Sequence, residues 1–72
     1  MNLNEFLPDL ERLENDGAVI LLKWDGKREL KKKSVVILKP ETDYQFRIDT
    51  DDLTDGIRKG LDDYDEAHRK SV

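Results

Sequence analysis

The stretch AVILLKWDGKRELKKKSVVIL, residues 18–38, decides the fold, because it sets two apolar runs on either side of a charged centre. Residues 18–24 are rich in strand-favouring side chains and too few for an independent helix. Asp25 and Gly26 form a dipeptide favoured in tight hairpin turns, and residues 35–38 make a second apolar strand. Two pairings are open. A two-residue turn sets Trp24 opposite Lys27, Leu22 opposite Glu29 and Leu21 opposite Leu30, making the second strand long and its first half basic. A longer loop leaves Lys31, Lys32 and Lys33 unpaired. The specific Asp-Gly signal favours the long strand, with a bulge near Lys33 or Ser34 where its pattern changes from polar to apolar.

Upstream, Leu3, Phe6, Leu7, Leu10 and Leu13 recur at three- and four-residue spacing, which predicts one amphipathic helix over residues 3–14. Pro8 either kinks it or sits in the first turn of a helix that begins late, and Asn15, Asp16 and Gly17 stop it. Downstream, residues 40–43 turn the chain. Tyr44, Phe46 and Ile48 then alternate with Gln45 and Arg47 in a third strand. Thr50 is the expected cap of a last helix, with Asp51 and Asp52 in its first turn and a stripe of Leu53, Ile57, Leu61 and Tyr64. On its outer side, Asp55–Lys59, Asp65–Arg69 and Glu66–Lys70 are four-residue ion pairs with the acid first.

The expected architecture is α+β: helix, three-stranded antiparallel meander, helix (αβββα), as a single domain over residues 1–72. The expected core is Phe6, Leu7, Leu10, Leu13, Ile20, Leu22, Val35, Ile37, Phe46, Ile48, Leu53, Ile57 and Leu61. A continuously apolar strand is normally buried on both sides. Either the helices therefore cover opposite faces of the sheet, or a second copy covers Val19, Leu21, Val36 and Leu38, the candidate self-association residues; an ordinary monomer with some apolar exposure is the remaining alternative.

The 72 residues contain no cysteine, so neither a disulfide nor a thiolate metal site is available. The longest apolar run, residues 18–22, is far shorter than the ~20 residues of a membrane span. With the acid-rich start of the chain, this predicts a cytoplasmic protein without a membrane segment. The net charge of −4 is unevenly spread: residues 1–22 sum to −4, residues 23–39 to +5 and residues 40–72 to −5.

Catalytic and metal chemistry find little support. The run Asp49, Asp51, Asp52, Asp55, Gly56 lacks the ligand spacing of a calcium loop. His68 is the only histidine and is expected to be a solvated helix residue, and Ser71 beside it lies at a terminus that cannot hold a nucleophile's geometry. The expectation is no catalytic residue, no cofactor and no metal. Gly56 and Gly60 each cost about 1 kcal/mol of helix propensity, which points to a groove where the first helix or a second chain approaches closely, or to a tolerated pair.

The basic hairpin, residues 23–33, is the candidate binding element: Lys23, Lys27, Arg28, Lys31, Lys32 and Lys33 with Trp24 among them. Such residues contact phosphates and stack on bases, or they guard a sheet edge against aggregation. The element order is shared with double-stranded RNA-binding domains, but there the last helix begins with lysines. Here it begins beside Asp49, Asp51 and Asp52, which repel RNA. The leading expectation is a non-catalytic interaction or regulatory domain that binds protein, a partner or itself, through a sheet face and the flanking hairpin. Weak nucleic-acid binding by residues 23–33 is the alternative.

Overall fold

The structure, a computed structural model, describes residues 3–69. A 3-10 turn (Leu3–Phe6) leads into helix α1 (Leu7–Asn15), strands β1 (Val19–Trp24), β2 (Lys33–Leu38) and β3 (Gln45–Thr50), and helix α2 (Leu53–Arg69). The α+β layout expected from the sequence is the one observed. The strands form one antiparallel sheet in the order β1-β2-β3.

Pro8 falls in the first turn of α1, where its missing N–H costs nothing, and the residues before it tighten into the 3-10 turn. The other end closes with a Schellman cap: Ala18 N–H donates to Leu13 O (2.9 Å) and Gly17 N–H to Glu14 O (3.0 Å). Gly17 takes φ +88°, a left-handed conformation that a side chain would oppose. α2 is capped by Asp52 rather than by Thr50. The Asp52 carboxylate accepts from Asp55 N–H (3.2 Å) and from the Thr54 hydroxyl (2.8 Å), and these bonds hold its pKa below the ordinary carboxylate value. Thr50 instead accepts from Asp52 N–H (3.0 Å), setting the turn that precedes the cap.

The sheet register corrects the two-residue hairpin. Trp24 pairs with Lys33, Leu22 with Val35 and Leu21 with Val36, so residues 25–32 form a loop and the long basic strand with its bulge does not exist. Asp25 still makes its local turn, accepting from Lys27 N–H (3.0 Å). Burial overrides the turn signal. Placing residues 35–38 against residues 19–22 aligns Ile20, Leu22, Val35, Ile37, Phe46 and Ile48 on one face, whereas the shorter hairpin would pair Leu22 with Glu29.

Both helices pack on that face. The core joins Phe6 and Leu13 to Val35, Ile37, Leu53, Ile57, Leu61 and Tyr64, with Leu10, Ile20, Leu22, Phe46 and Ile48 against them. Leu7, expected in the core, is 47% exposed, because the 3-10 turn rotates it off the apolar stripe and leaves Phe6 to point inward. Gly56 and Gly60 create a close approach, but it is to the sheet rather than to the first helix or another chain. A Cβ on Gly56 would stand 2.9 Å from Thr50 Cγ2, and one on Gly60 would stand 2.9 Å from Ile37 Cδ1. Of the expected helix-surface pairs, Asp55–Lys59 forms (3.0 Å). Asp65 turns to α1 and receives a two-pronged bond from Arg12 (3.0 and 3.2 Å), which raises the guanidinium pKa and ties the two helices together. Lys70 lies outside the described residues.

Candidate functional site

With both helices on one face, the opposite face of the sheet has no covering helix or strand among the described residues. Val19 stands across from Leu38 and Leu21 across from Val36 on that face. Leu21 is 52% exposed, Val19 is also exposed, and Val36 and Leu38 on the central strand are half-buried. The four candidate self-association residues are thus brought together as one apolar patch.

The patch has a polar end built by the next cross-strand row. Ser34 lies opposite both Lys23 and Asp49, and its hydroxyl donates to Asp49 Oδ1 (2.6 Å). Arg47 and Arg28 each approach the same carboxylate at 3.5 Å. The Ser34 bond is the main cause of the lowered Asp49 pKa, with the two arginines adding to it. Arg28 therefore folds back from the loop onto the sheet, and Ser34 is buried beneath this cluster. The loop is fastened at a second point, where Lys32 N–H donates to Asp51 Oδ1 (3.2 Å). Lys31 is held at φ +52°, which costs a non-glycine residue about 1 kcal/mol.

The seven basic-hairpin candidates accordingly divide. Arg28 is paired to Asp49, and Lys33, in β2, reaches Asp51 O (3.5 Å). Lys23, Trp24, Lys27, Lys31 and Lys32 have exposed side chains, with Trp24 57% exposed. A phosphate-tracking surface draws its affinity from Lys and Arg that neutralise phosphates. Here Asp49 and Asp51 stand within the patch, which weakens the field a polyanion would meet.

The β1 edge is a further surface that the sequence reading passed over. Asp25 N–H donates to Lys32 O (2.7 Å), continuing the β1–β2 ladder as a hydrogen-bonded pair. Antiparallel alternation then directs the backbone groups of Val19, Leu21 and Lys23 to β2, and turns those of Ile20, Leu22 and Trp24 to the outside. Beside this edge an open groove of about 490 Å³ runs between α1 and β1, lined by Leu10, Glu11, Glu14, Ala18, Ile20 and Leu22 with Val19 at its border.

His68 is not solvated as expected. Its ring stacks on Tyr64 (centroids 3.9 Å apart) and lies edge-on to Tyr44 (5.2 Å). Tyr64 donates to Asp16 Oδ2, which also receives Lys39 Nζ (3.1 Å), and Tyr44 donates to Asp63 Oδ2 (2.7 Å). These bonds hold the Asp16 pKa low. Burial first, and then the carboxylate partner, pushes the Tyr64 phenol up to about 12 and raises Tyr44 further. Neither phenol is activated. The cluster clasps the end of α1 and the β2–β3 turn to α2.

Among the described residues, no group of three or more His, Asp or Glu side chains is placed to hold a metal ion, and no helix is long and apolar enough to cross a membrane. In comparisons of the sequence and the fold with known proteins, no family model, no curated protein and no solved structure matches this chain.

Proposed function

We propose that this chain is a non-catalytic, cytoplasmic interaction domain that binds another protein through the open face of its sheet. The observation that carries the reading is the juxtaposition of the apolar patch Val19, Leu21, Val36 and Leu38 with a cationic end formed by Lys23, Arg28 and Arg47. The complementary surface is an apolar protein patch flanked by carboxylates. Apolar contact supplies the affinity, and the cationic end sets the orientation and speeds encounter. Asp49 shapes this end by holding the two arginines in place.

A photo-cross-linking residue at position 38, inside the patch, tests the reading in the cell that makes the protein, with the same residue at position 62, on the outer side of α2, as control. The expected result is one discrete adduct from position 38 and none from position 62, with the adduct lost when Lys23 and Arg47 are both replaced by Glu. No adduct from position 38, or equal adducts from both positions, overturns it. Nucleic-acid binding by the hairpin is not favoured by an independent observation, since the carboxylates of Asp49 and Asp51 lie among its cations.

A further inference from the structure

We infer that the free edge of β1 is a self-association site, at which a second copy of this chain pairs antiparallel through its own β1 and seats Trp24 in the groove between α1 and β1. This goes beyond the reading of the open face, which concerns a different surface of the same sheet. A sheet edge with unpaired backbone groups templates another strand unless charge, proline, a bulge or a covering element blocks it. β1 carries none of these guards over Val19–Leu22; its only charge is Lys23.

The register follows from the outward-facing groups and from self-complementarity about a twofold axis. Centring the axis on Leu21 makes Ile20 a hydrogen-bonded pair with the second copy's Leu22, and puts the two Leu21 side chains directly opposite each other on the open face. Trp24 then falls opposite the second copy's Ala18. Ala18 lines the groove, and Trp24 points to the same side of the sheet as Ile20 and Leu22, which line it too. An exposed indole and an empty apolar groove thus meet twice, once on each side of the axis. The indole N–H, a donor only, meets a rim carrying Glu11 and Glu14. This register sets Lys23 beside Val19 of the second copy; shifting the axis to Leu22 sets Lys23 against the more central Leu21 and moves Trp24 to Ile20, and shifting it to Ile20 carries Trp24 past the groove to Asp16.

Charge agrees with this arrangement. Antiparallel pairing brings the end of one β1, where the +5 segment lies, beside the start of the other, where the −4 segment closes with Glu14 and Asp16. The pairing also joins the two apolar patches into one continuous face around the Leu21 pair.

Cysteine substitution tests the register directly, since the chain has no cysteine of its own. Leu21→Cys sits at an exposed position, so folding is not at stake. In the inferred dimer the two residues form a non-hydrogen-bonded pair with Cα atoms about 4.5 Å apart, within disulfide range. Mild oxidation is expected to convert Leu21→Cys to a covalent dimer, while Val36→Cys, three strand spacings or about 14 Å from its counterpart, stays monomeric. Emission from Trp24, the single tryptophan, is expected to shift to the blue as concentration rises, and Trp24→Ala is expected to weaken self-association by on the order of tenfold or more. Cross-linking through Val36→Cys in preference to Leu21→Cys overturns the edge pairing and places the second copy on the open face. An 8.4 kDa species at every concentration, with no Leu21→Cys dimer, overturns self-association altogether. The second result leaves the position-38 adduct untouched, whereas the first predicts that this adduct has twice the mass of the chain; an adduct with a different protein, or none, decides the open-face reading.

Discussion

Gly56→Ala probes how closely α2 is seated on the sheet. The added methyl would stand 2.9 Å from Thr50 Cγ2 and 3.1 Å from Val35 Cγ2. Both neighbours are β-branched and stiff at χ1, and Val35 is fully buried, so neither can swing aside. Relief must come from moving the helix outward. Overpacking of this kind costs about 1–3 kcal/mol, while replacing a helical glycine by alanine returns about 1 kcal/mol. The expected balance is a net loss of about 1 kcal/mol, which lowers Tm by about 4–8 °C in a domain of this size. Urea denaturation followed by far-ultraviolet circular dichroism measures it. In a Val35→Ala background, where the crowding methyl at 3.1 Å is gone and Thr50 Cγ2 at 2.9 Å remains, part of the cost should disappear. If Gly56→Ala raises stability by about 1 kcal/mol in the native background, as at an open helix position, the close packing of α2 on the sheet is refuted.

Ile57→Ala, inside the core, should cost about 2–5 kcal/mol, whereas Leu7→Ala should change stability by less than about 0.5 kcal/mol; equal costs in denaturant melts would contradict the observed rotation of Leu7 to the surface. Because the folded chain favours the neutral Tyr64 phenol, the stability linked to it is present below the ordinary phenol value of about 10 and is lost as pH rises through about 12. Absorbance at 295 nm should therefore show no tyrosine ionising near pH 10 in the folded protein and both ionising there in denaturant; ionisation near 10 with the fold intact would contradict the clasp. Single- and double-stranded oligonucleotides at low salt should not bind, and binding that falls steeply with salt would restore the basic hairpin as a nucleic-acid site.

The order of elements was legible because each apolar stripe repeats at its own period: Leu10 and Leu13 in α1, Phe46 and Ile48 in β3, Leu53, Ile57 and Leu61 in α2. The β1–β2 pairing was not, because Asp25-Gly26 reports only on local conformation. The turn it forms is real, yet register is set by which apolar residues the helices cover, a non-local property that moved the hairpin closure from Lys27 to Lys33. The apolar patch could be anticipated from two strands apolar on alternate as well as consecutive positions. Its cationic end could not, since Arg28, in the β1–β2 loop, and Arg47, in β3, meet only through Asp49. The Tyr64–His68 stack was not legible for a related reason. Its four-residue spacing was visible, but the Asp16 that anchors Tyr64 lies 48 residues away. The groove beside β1 left no sequence signal, because it exists only where α1 stands off from the sheet edge.

Backbone amide exchange, measured residue by residue in dilute and in concentrated protein, tests most directly whether the β1 edge is an occupied surface. In dilute solution the amides of Val19, Leu21 and Lys23 should be protected by β2, and those of Ile20, Leu22 and Trp24 should exchange quickly. Concentration should then protect Ile20 and Leu22 while leaving β3 unchanged. Fast exchange at Ile20 and Leu22 at every concentration would contradict the pairing of two β1 edges.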